Sequence, residues 1–299
     1  MASDTHVYLL GRPPIDEYLG FVIQASSGGT YDLSAEATKW RAARDRIDQL
    51  SLVEAGAADG HVPGGPKGQL KAKADAFMAQ PVTKNAYAIL PASVGIVELD
   101  RLVVFQKQIN LSYANQLQAA ATNIDIESET LFDYCINATG ARPSIARGQA
   151  NANTFTFVSP STDARFLGSA LLDATAVTGY SIPGHVESVV VLFVGYGINA
   201  LAVVDAGGRL ILNNGSHRAY ALRKAGATHA WAVVQQASKE EDLSIMPVVQ
   251  QNVELYLRST RPPMLRDYFN PDLVASIEVP RRNRQVKLQF GLEQLDVPS

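Results

Sequence analysis

One short segment combines residue types that together bind anions. It reads Asn-Asn-Gly-Ser-His-Arg over positions 213–218, directly after the apolar run RLIL. Glycine lets a ligand approach the backbone, serine adds a hydroxyl donor, and arginine can grip a phosphate with a two-pronged fork. Histidine can donate to a further oxygen. The chemistry expected of this segment is therefore the binding of a phosphate group.

The elements around the segment are those that an anion site requires. RLIL predicts a strand, AYALRKAG predicts a helix, and Gly226 fits the left-handed position that ends a helix. The first turn of a helix exposes unpaired N–H groups and carries partial positive charge, which together attract phosphate. Singly, these residues also suit a helix cap, a turn, a half-buried polar group or an exposed charge. The combination predicts a phosphate site formed by Asn214, Gly215, Ser216, His217 and Arg218.

Alternating apolar runs place this segment inside a mixed sheet. From residue 153 onward the pattern predicts strands at FTFV, ESVVVLFVGYG, ALAVV, RLIL and WAVVQ, with one helix over 169–179 and another over 216–225. Asp205-Ala206-Gly207-Gly208 should form a hairpin turn, since glycine tolerates positive φ. The order β, α, β, β, β, α, β indicates an α+β fold.

The run NNGSHRAYALRKAG, with WAVVQ about five residues later, resembles the G-x-x-R signature region of the ParB and sulfiredoxin superfamily. The resemblance covers about residues 154–236, and it implies a mixed-sheet domain that binds ATP, ADP or CTP through this loop and helix. Sulfiredoxins carry Gly, Cys and His-Arg here, and this chain has Ser216 where they have the cysteine. A serine cannot replace a thiolate in sulfinic acid repair, so the resemblance favours a nucleotide pocket over a redox centre.

The resemblance extends to three residues upstream of the turn. Asp163 and Arg165 lie where relatives carry an early polar motif, and Glu187 precedes the strand that leads towards the site. Arg165 would add a phosphate contact. Glu187 or Asp163 would serve as base or Mg²⁺ ligand if the bound nucleotide, ATP or CTP, transfers its phosphate. Glu187 is equally suited to be an exposed charge at the start of a strand.

Three functions fit this site. The first is an enzyme that uses a nucleotide phosphate, either a small-molecule kinase or a nucleotide hydrolase. The second is an assembly protein in which a bound nucleotide controls recognition of a protein partner by the N-terminal lobe, with little or no turnover. The third is transfer of another group from a nucleotide, such as ADP-ribose, although no residue singles it out.

Three regions are expected along the chain. Residues 1–150 should form a separate N-terminal α/β lobe, 151–240 the ParB/sulfiredoxin-like domain, and 241–299 a C-terminal extension with a helix and a strand pair. Within the first lobe, EYLGFVI reads as a strand, and Ser34 should cap a helix over 35–55. The tail lacks the helix-turn-helix with which ParB proteins continue.

Bulk composition argues against several partners. The chain has 299 residues and a net charge of -3, so nucleic acid would have to meet a local basic patch. The dense cationic cluster comprises Arg281, Arg282, Arg284 and Lys287, and such clusters more often form a solvated face or an intramolecular pairing surface. The composition therefore argues against DNA as a partner.

The single cysteine and the apolar runs narrow the class of protein further. Cys135 lies among apolar neighbours and is expected to be a small buried hydrophobe rather than a nucleophile. No apolar run approaches the ~20 residues that span a bilayer. The N-terminus MASDTHVYLLGRPP lacks a secretory pattern, so we expect a cytoplasmic protein without a membrane role.

Overall fold

The computed structural model describes residues 2–25, 31–136, 142–161, 163–176, 178–179 and 184–296. Helices and strands occur largely in separate runs along the chain, and the sheets are antiparallel or mixed, which makes the fold α+β as expected. The backbone divides into two compact units. Unit one consists of residues 1–139 and 199–281, and unit two consists of residues 140–198 and 282–299.

The helices are α1 Ile15–Ala25, α2 Leu33–Val53, α3 Gly68–Ala79, α4 Pro81–Ala86, α5 Leu111–Ala120, α6 Glu129–Ile136, α7 Ser216–Lys224 and α8 Pro247–Gln250. The strands are β1 Ser3–Leu9, β2 Ala92–Glu98, β3 Val103–Val104, β4 Gln108–Asn110, β5 Ala146–Asn151, β6 Thr154–Ser159, β7 Ala164–Asp173, β8 Ser188–Tyr196, β9 Ala202–Ala206, β10 Leu210–Asn214, β11 His229–Ala237, β12 Val274–Pro280 and β13 Arg284–Gln289.

A five-stranded sheet in unit one carries the candidate segment. Its strand order is β2-β11-β9-β10-β3. Strand β10 runs antiparallel to β9 and parallel to β3, while β11 is parallel to β9 and antiparallel to β2. The predicted hairpin between β9 and β10 is confirmed, with φ at 69° for Gly207 and 86° for Gly208. The strand, turn and helix over 210–226 are confirmed as well.

A second sheet of unit one has the order β12-β1-β4. Helices α1 and α2 pack against it around a core that includes Tyr8, Tyr18 and Ile47. The predicted helix near residue 34 is confirmed as α2, but its cap is Asp32, whose carboxylate accepts the Ser34 amide at 2.9 Å. Strand β4 of this sheet ends next to α7, the helix that follows the candidate turn.

In the described part of unit two the regular elements are strands, apart from the 3-10 turn Ala174–Ala176. Strands β13, β6 and β5 form an antiparallel sheet, and β7 pairs with β8 in a separate two-stranded sheet. The strand pair expected near the C-terminus is wrong in its pairing, because β12 pairs with β1 and β13 pairs with β6.

Two other predictions of local structure are wrong. No α-helix forms over the described part of 169–179: residues 169–173 belong to strand β7, Ala174–Ala176 form a 3-10 turn, and Val177 lies outside the described residues. The strand forms because Ser169–Leu172 pair with the β-branched run of β8, and this pairing overrides helix propensity. The stretch EYLGFVI is not a strand but most of helix α1, whose buried face presents Tyr18, Val22 and Ala25. Their spacing of four and three residues is helical.

The two units do not follow the linear division expected near residue 150. The range 151–240 is shared between both units, because β9, β10 and β11 form one sheet with strands β2 and β3 of the first half. Sheet pairing between distant segments therefore sets the boundary. Among the described residues, no helix is long and apolar enough to cross a membrane.

Candidate functional site

The turn between β10 and α7 requires glycine. Gly215 has φ at 92° and ψ at 25°, in the left-handed region, and forms the N-cap of α7 without a side-chain cap. A Cβ atom at this position would lie 3.2 Å from the Cα atom of Leu201. The helix begins at once, because the Ala219 amide donates to the Gly215 carbonyl at 2.8 Å. The backbone thus brings the first amides of α7 to the end of a buried strand.

Arg218 is buried in this first turn and holds two distant segments. Its side chain donates from Nη1 to the carbonyls of Cys135 and Asn199, both at 2.9 Å, and from Nη2 to the Asn199 side chain. The residue is only 4% exposed. These bonds join the end of α6 and the residues before β9 to α7, so Arg218 organises the backbone around the turn.

The charge of Arg218 lacks a nearby counter-ion. Its partners are neutral carbonyl and amide oxygens, and the described residues place no carboxylate at ion-pair distance from its guanidinium. Its Nε atom is buried without a hydrogen-bond partner there. The Tyr134 ring lies 5.8 Å from the guanidinium carbon, which adds a weak attraction. Buried cations are ordinarily paired, which makes this environment unusual.

His217 is tied to the neighbouring sheet through Asn110. The backbone amide of Asn110 donates to His217 Nε2 at 3.0 Å, so the neutral ring carries its proton on Nδ1. The Asn110 side chain caps α5 and also donates to Asp4, at 3.3 Å. Asp4 in turn accepts from Arg281 at 2.7 Å. This network fixes the side of the turn that faces β4 and α5.

Asp4 does not leave a free negative charge beside the turn. The hydrogen bond from Arg281 lowers the pKa of Asp4, opposed by burial and assisted by Asn110. The same pair shows that the C-terminal cationic cluster forms at least one intramolecular ion pair, which is one of the two arrangements expected of it. Local charge at the turn is therefore dominated by Arg218 and by the helix N-terminus.

The remaining two residues of the predicted phosphate turn are held close to it. Asn214 donates from its side chain to the Ala200 carbonyl at 2.8 Å. Ser216 is the first residue of α7 and is half-buried. All five residues expected to bind phosphate therefore lie together in unit one.

The other three predicted site residues belong to unit two. Glu187 pairs with His185 at 2.8 Å, and the two side chains are 83% and 88% exposed. Asp163 and Arg165 are exposed, and the Asp163 amide donates to Ser161 Oγ at 3.2 Å. All three side chains are therefore exposed, and the described part of unit two shows no hydrogen bond or ion pair that joins them. The five residues of the predicted phosphate turn thus belong to unit one, whereas the two proposed catalytic carboxylates belong to unit two.

Sequence reasoning missed the residues that support the turn. Asn199 and Cys135 accept from Arg218, and Asn110 holds His217, although all three are remote in sequence. Only Asn110 had a local signal, since asparagine at the end of an apolar run commonly caps a helix. The carbonyls of the other two carry no sequence signature.

Cys135 takes the structural role expected of it. Its side chain is fully buried, and burial raises the pKa of its thiol to about 12. A thiol in this state is a poor nucleophile. Across the described ranges, no three His, Cys, Asp or Glu side chains gather into a metal site. A Mg²⁺ ion carried by a nucleotide would not need such a group, because one or two carboxylates and the phosphates suffice.

Comparison with protein-family models, curated proteins and solved structures found no match to this chain.

Proposed function

We propose that the first turn of α7 binds the phosphate groups of a nucleotide. The observation that carries this proposal is the buried charge of Arg218, which meets no carboxylate at ion-pair distance among the described residues and lies directly behind a helix N-terminus. A buried cation without a counter-ion costs several kcal/mol, and neutral carbonyls offset only part of that cost. An anion at the turn would meet both the Arg218 charge and the helix dipole.

The roles of the residues differ from a simple arginine clamp. Both hydrogens of Arg218 Nη1 are already donated to backbone carbonyls. The guanidinium would therefore attract an anion mainly by its positive charge, without direct hydrogen bonds from Nη1, and would hold the backbone of the turn in place. Direct contacts fall to the backbone amides of Ser216 and His217 and to the Ser216 hydroxyl. Gly215 supplies the left-handed backbone that turns the chain into the helix, and a side chain there would press against Leu201.

The resemblance to the ParB and sulfiredoxin superfamily supports a nucleotide, ATP or CTP, as the source of the phosphate. Its motif residues are the same Gly215, Ser216, His217 and Arg218 whose geometry favours an anion. The five-stranded sheet and α7 would then be the superfamily core, while unit two consists of residues 140–198, inserted between α6 and β9, together with residues 282–299. Serine in place of cysteine favours binding without redox chemistry.

We place nucleotide-controlled binding of a protein partner ahead of turnover. Asp4, the carboxylate linked to the turn through Asn110, is engaged by Arg281 and is poorly suited to act as a base. Glu187 and Asp163 lie in unit two and are exposed. A kinase or nucleotide hydrolase that uses these carboxylates is the second candidate, motivated by the superfamily. Transfer of ADP-ribose has no residue in its favour.

A substitution that adds a negative charge to the turn tests the binding site. Thermal unfolding is measured with ATP, CTP, ADP or pyrophosphate, each with and without Mg²⁺, and hydrolysis products are read from the same samples. Ser216→Asp adds a carboxylate to the first turn. The helix dipole stabilises a negative charge at this end, but the carboxylate repels phosphate. We expect this variant to fold normally and to lose ligand stabilisation, while Ser216→Ala keeps most of it. Equal ligand stabilisation in the two variants would sink the proposal.

The same samples separate binding from catalysis. Stabilisation without products supports controlled binding. Products that disappear in Glu187→Gln would instead make the protein an enzyme and assign that carboxylate a catalytic role.

A further inference from the structure

Strand β8 presents an unguarded edge. Its sequence, SVVVLFVGY, contains no charged residue over nine positions and no proline. In the described part of the chain it pairs with β7 only, so the other edge has no strand beside it. Soluble proteins ordinarily protect such an edge with charges, prolines or bulges, because its free N–H and C=O groups recruit further strands.

The opposite edge of the same hairpin is protected. Strand β7 carries Arg165 near its start and Asp173 at its end. Its pairing with β8 shifts register between Phe166 and Gly168, where Gly168 has φ at 141°. Such a bulge interrupts an outer ladder. The two edges therefore differ, and only that of β8 offers a continuous template.

Large apolar side chains accompany the open edge. Leu171 is 72% exposed and Val190, its partner across the hairpin, is 68% exposed. Leu192 and Phe193 are also exposed. An isolated two-stranded hairpin is at best marginally stable in water, and three or more strands are normally needed. The hairpin would gain order and lose exposed apolar surface if strands were added beside β8.

We propose that β8 pairs with β8 of a second copy of this chain. The sequence is self-complementary in an antiparallel register centred on Leu192, which places Leu192 opposite its own mate. In this register Val191 faces Phe193 and Val190 faces Val194. Cross-strand pairs of β-branched and aromatic residues are favourable, and no like charges meet. A two-fold axis closes the assembly, giving a four-stranded sheet rather than an open fibre.

The uncharged edge argues for a second copy over other partners. A charged peptide would find no complementary charge along β8, and an anionic lipid surface would find no lysine or arginine within the strand. The contact is formed by one strand from each copy, so its area falls below the ~1,200–2,000 Å² that stable interfaces bury. We therefore expect a reversible dimer whose population rises with protein concentration.

Cysteine cross-linking tests the register directly. Residues paired across antiparallel strands have Cα atoms about 4.5–5.5 Å apart, within the range that a disulfide spans. Cys135 is fully buried, so an engineered cysteine reports alone. Under mild oxidation, Leu192→Cys should give a covalent dimer of the full chain. Leu171→Cys, at a more exposed position but on β7, should remain a monomer.

Sedimentation velocity over a range of concentrations gives the second measurement. The wild-type chain should dimerise at high concentration, and Leu192→Lys should shift it to monomer by placing like charges on the axis. Leu52→Lys, at an 84% exposed position of α2, is the matched control and should not change association. A chain that is monomeric at every concentration overturns the proposal. So does cross-linking through Leu171→Cys instead of Leu192→Cys, or binding of the monomer to neutral lipid vesicles through the hairpin.

Discussion

Replacing Arg218 with methionine separates a guanidinium that only holds the backbone from one that also serves an anion. The change removes the donors to the carbonyls of Cys135 and Asn199 and to the Asn199 side chain. Hydrogen bonds from charged donors contribute ~1.5–3 kcal/mol each. Removing a buried unpaired charge returns several kcal/mol. Because the effects oppose, we expect a net loss of about 1–3 kcal/mol of unfolding free energy, the ordinary range for one substitution.

The assay is urea unfolding followed by circular dichroism, with and without pyrophosphate. The control is Arg223→Met in the same helix, where the guanidinium is partly exposed and pairs with Asp100 at 2.9 Å. Partly exposed ion pairs contribute ~0–1 kcal/mol, so this variant should lose less stability than Arg218→Met. Pyrophosphate should stabilise the wild type and Arg223→Met, but not Arg218→Met.

Two outcomes would refute this reasoning. If Arg218→Met loses no stability, the three hydrogen bonds do not hold the turn in solution. If it loses stability but keeps the full stabilisation by pyrophosphate, Arg218 only supports the backbone and the anion binds elsewhere.

Three further predictions follow from the same geometry. Gly215→Ala should cost more stability than Gly207→Ala, by roughly 1 kcal/mol, since both have positive φ but only the Gly215 Cβ would meet backbone closely, 3.2 Å away. Cys135 should resist a thiol reagent at pH 8 in the folded protein and react once urea unfolds it, because burial raises its pKa to about 12. The pKa of Asp4 is 3.8 in the unfolded chain, and the hydrogen bond from Arg281 lowers it in the folded protein. Asp4 should therefore stabilise the fold above pH 3.8, and this stabilisation is lost as the pH falls through the folded pKa.

Each of these predictions has a direct check. Equal unfolding midpoints for Gly215→Ala and Gly207→Ala would contradict the close approach at the turn. Rapid labelling of Cys135 in the native protein would contradict its burial. The Asp4→Asn variant should lose less stability between pH 7 and pH 3 than the wild type, and an identical loss would remove Asp4 from the account.

Local signals explain the parts of the fold that sequence reasoning predicted correctly. The β9–β10 hairpin depends on Gly207 and Gly208, and α7 on the apolar and capping pattern around Gly215 and Gly226. These features lie within a few residues of the elements they determine. The wrong helix over 169–179 shows the limit, because there the pairing with β8, about twenty residues away, decides the structure.

The candidate site was predictable in its residues but not in their surroundings. The motif located Gly215 through Arg218 in one turn, as the structure has them. The burial of Arg218 could not be predicted, since its partners are backbone atoms of Cys135 and Asn199 that any residue could supply. The division into units was equally hidden, because strands β2 and β3, about a hundred residues or more before their partners in sequence, complete the sheet.

The most direct test of the central claim is a titration of the ¹⁵N-labelled protein with ATP and with CTP, followed by amide resonances. Binding at the turn should shift the amides of Ser216 and His217 strongly, since these groups lie at the N-terminus of α7. The Lys224 amide, at the other end of the same helix, should move little. Shifts that leave Ser216 and His217 unchanged while other regions respond would contradict the account.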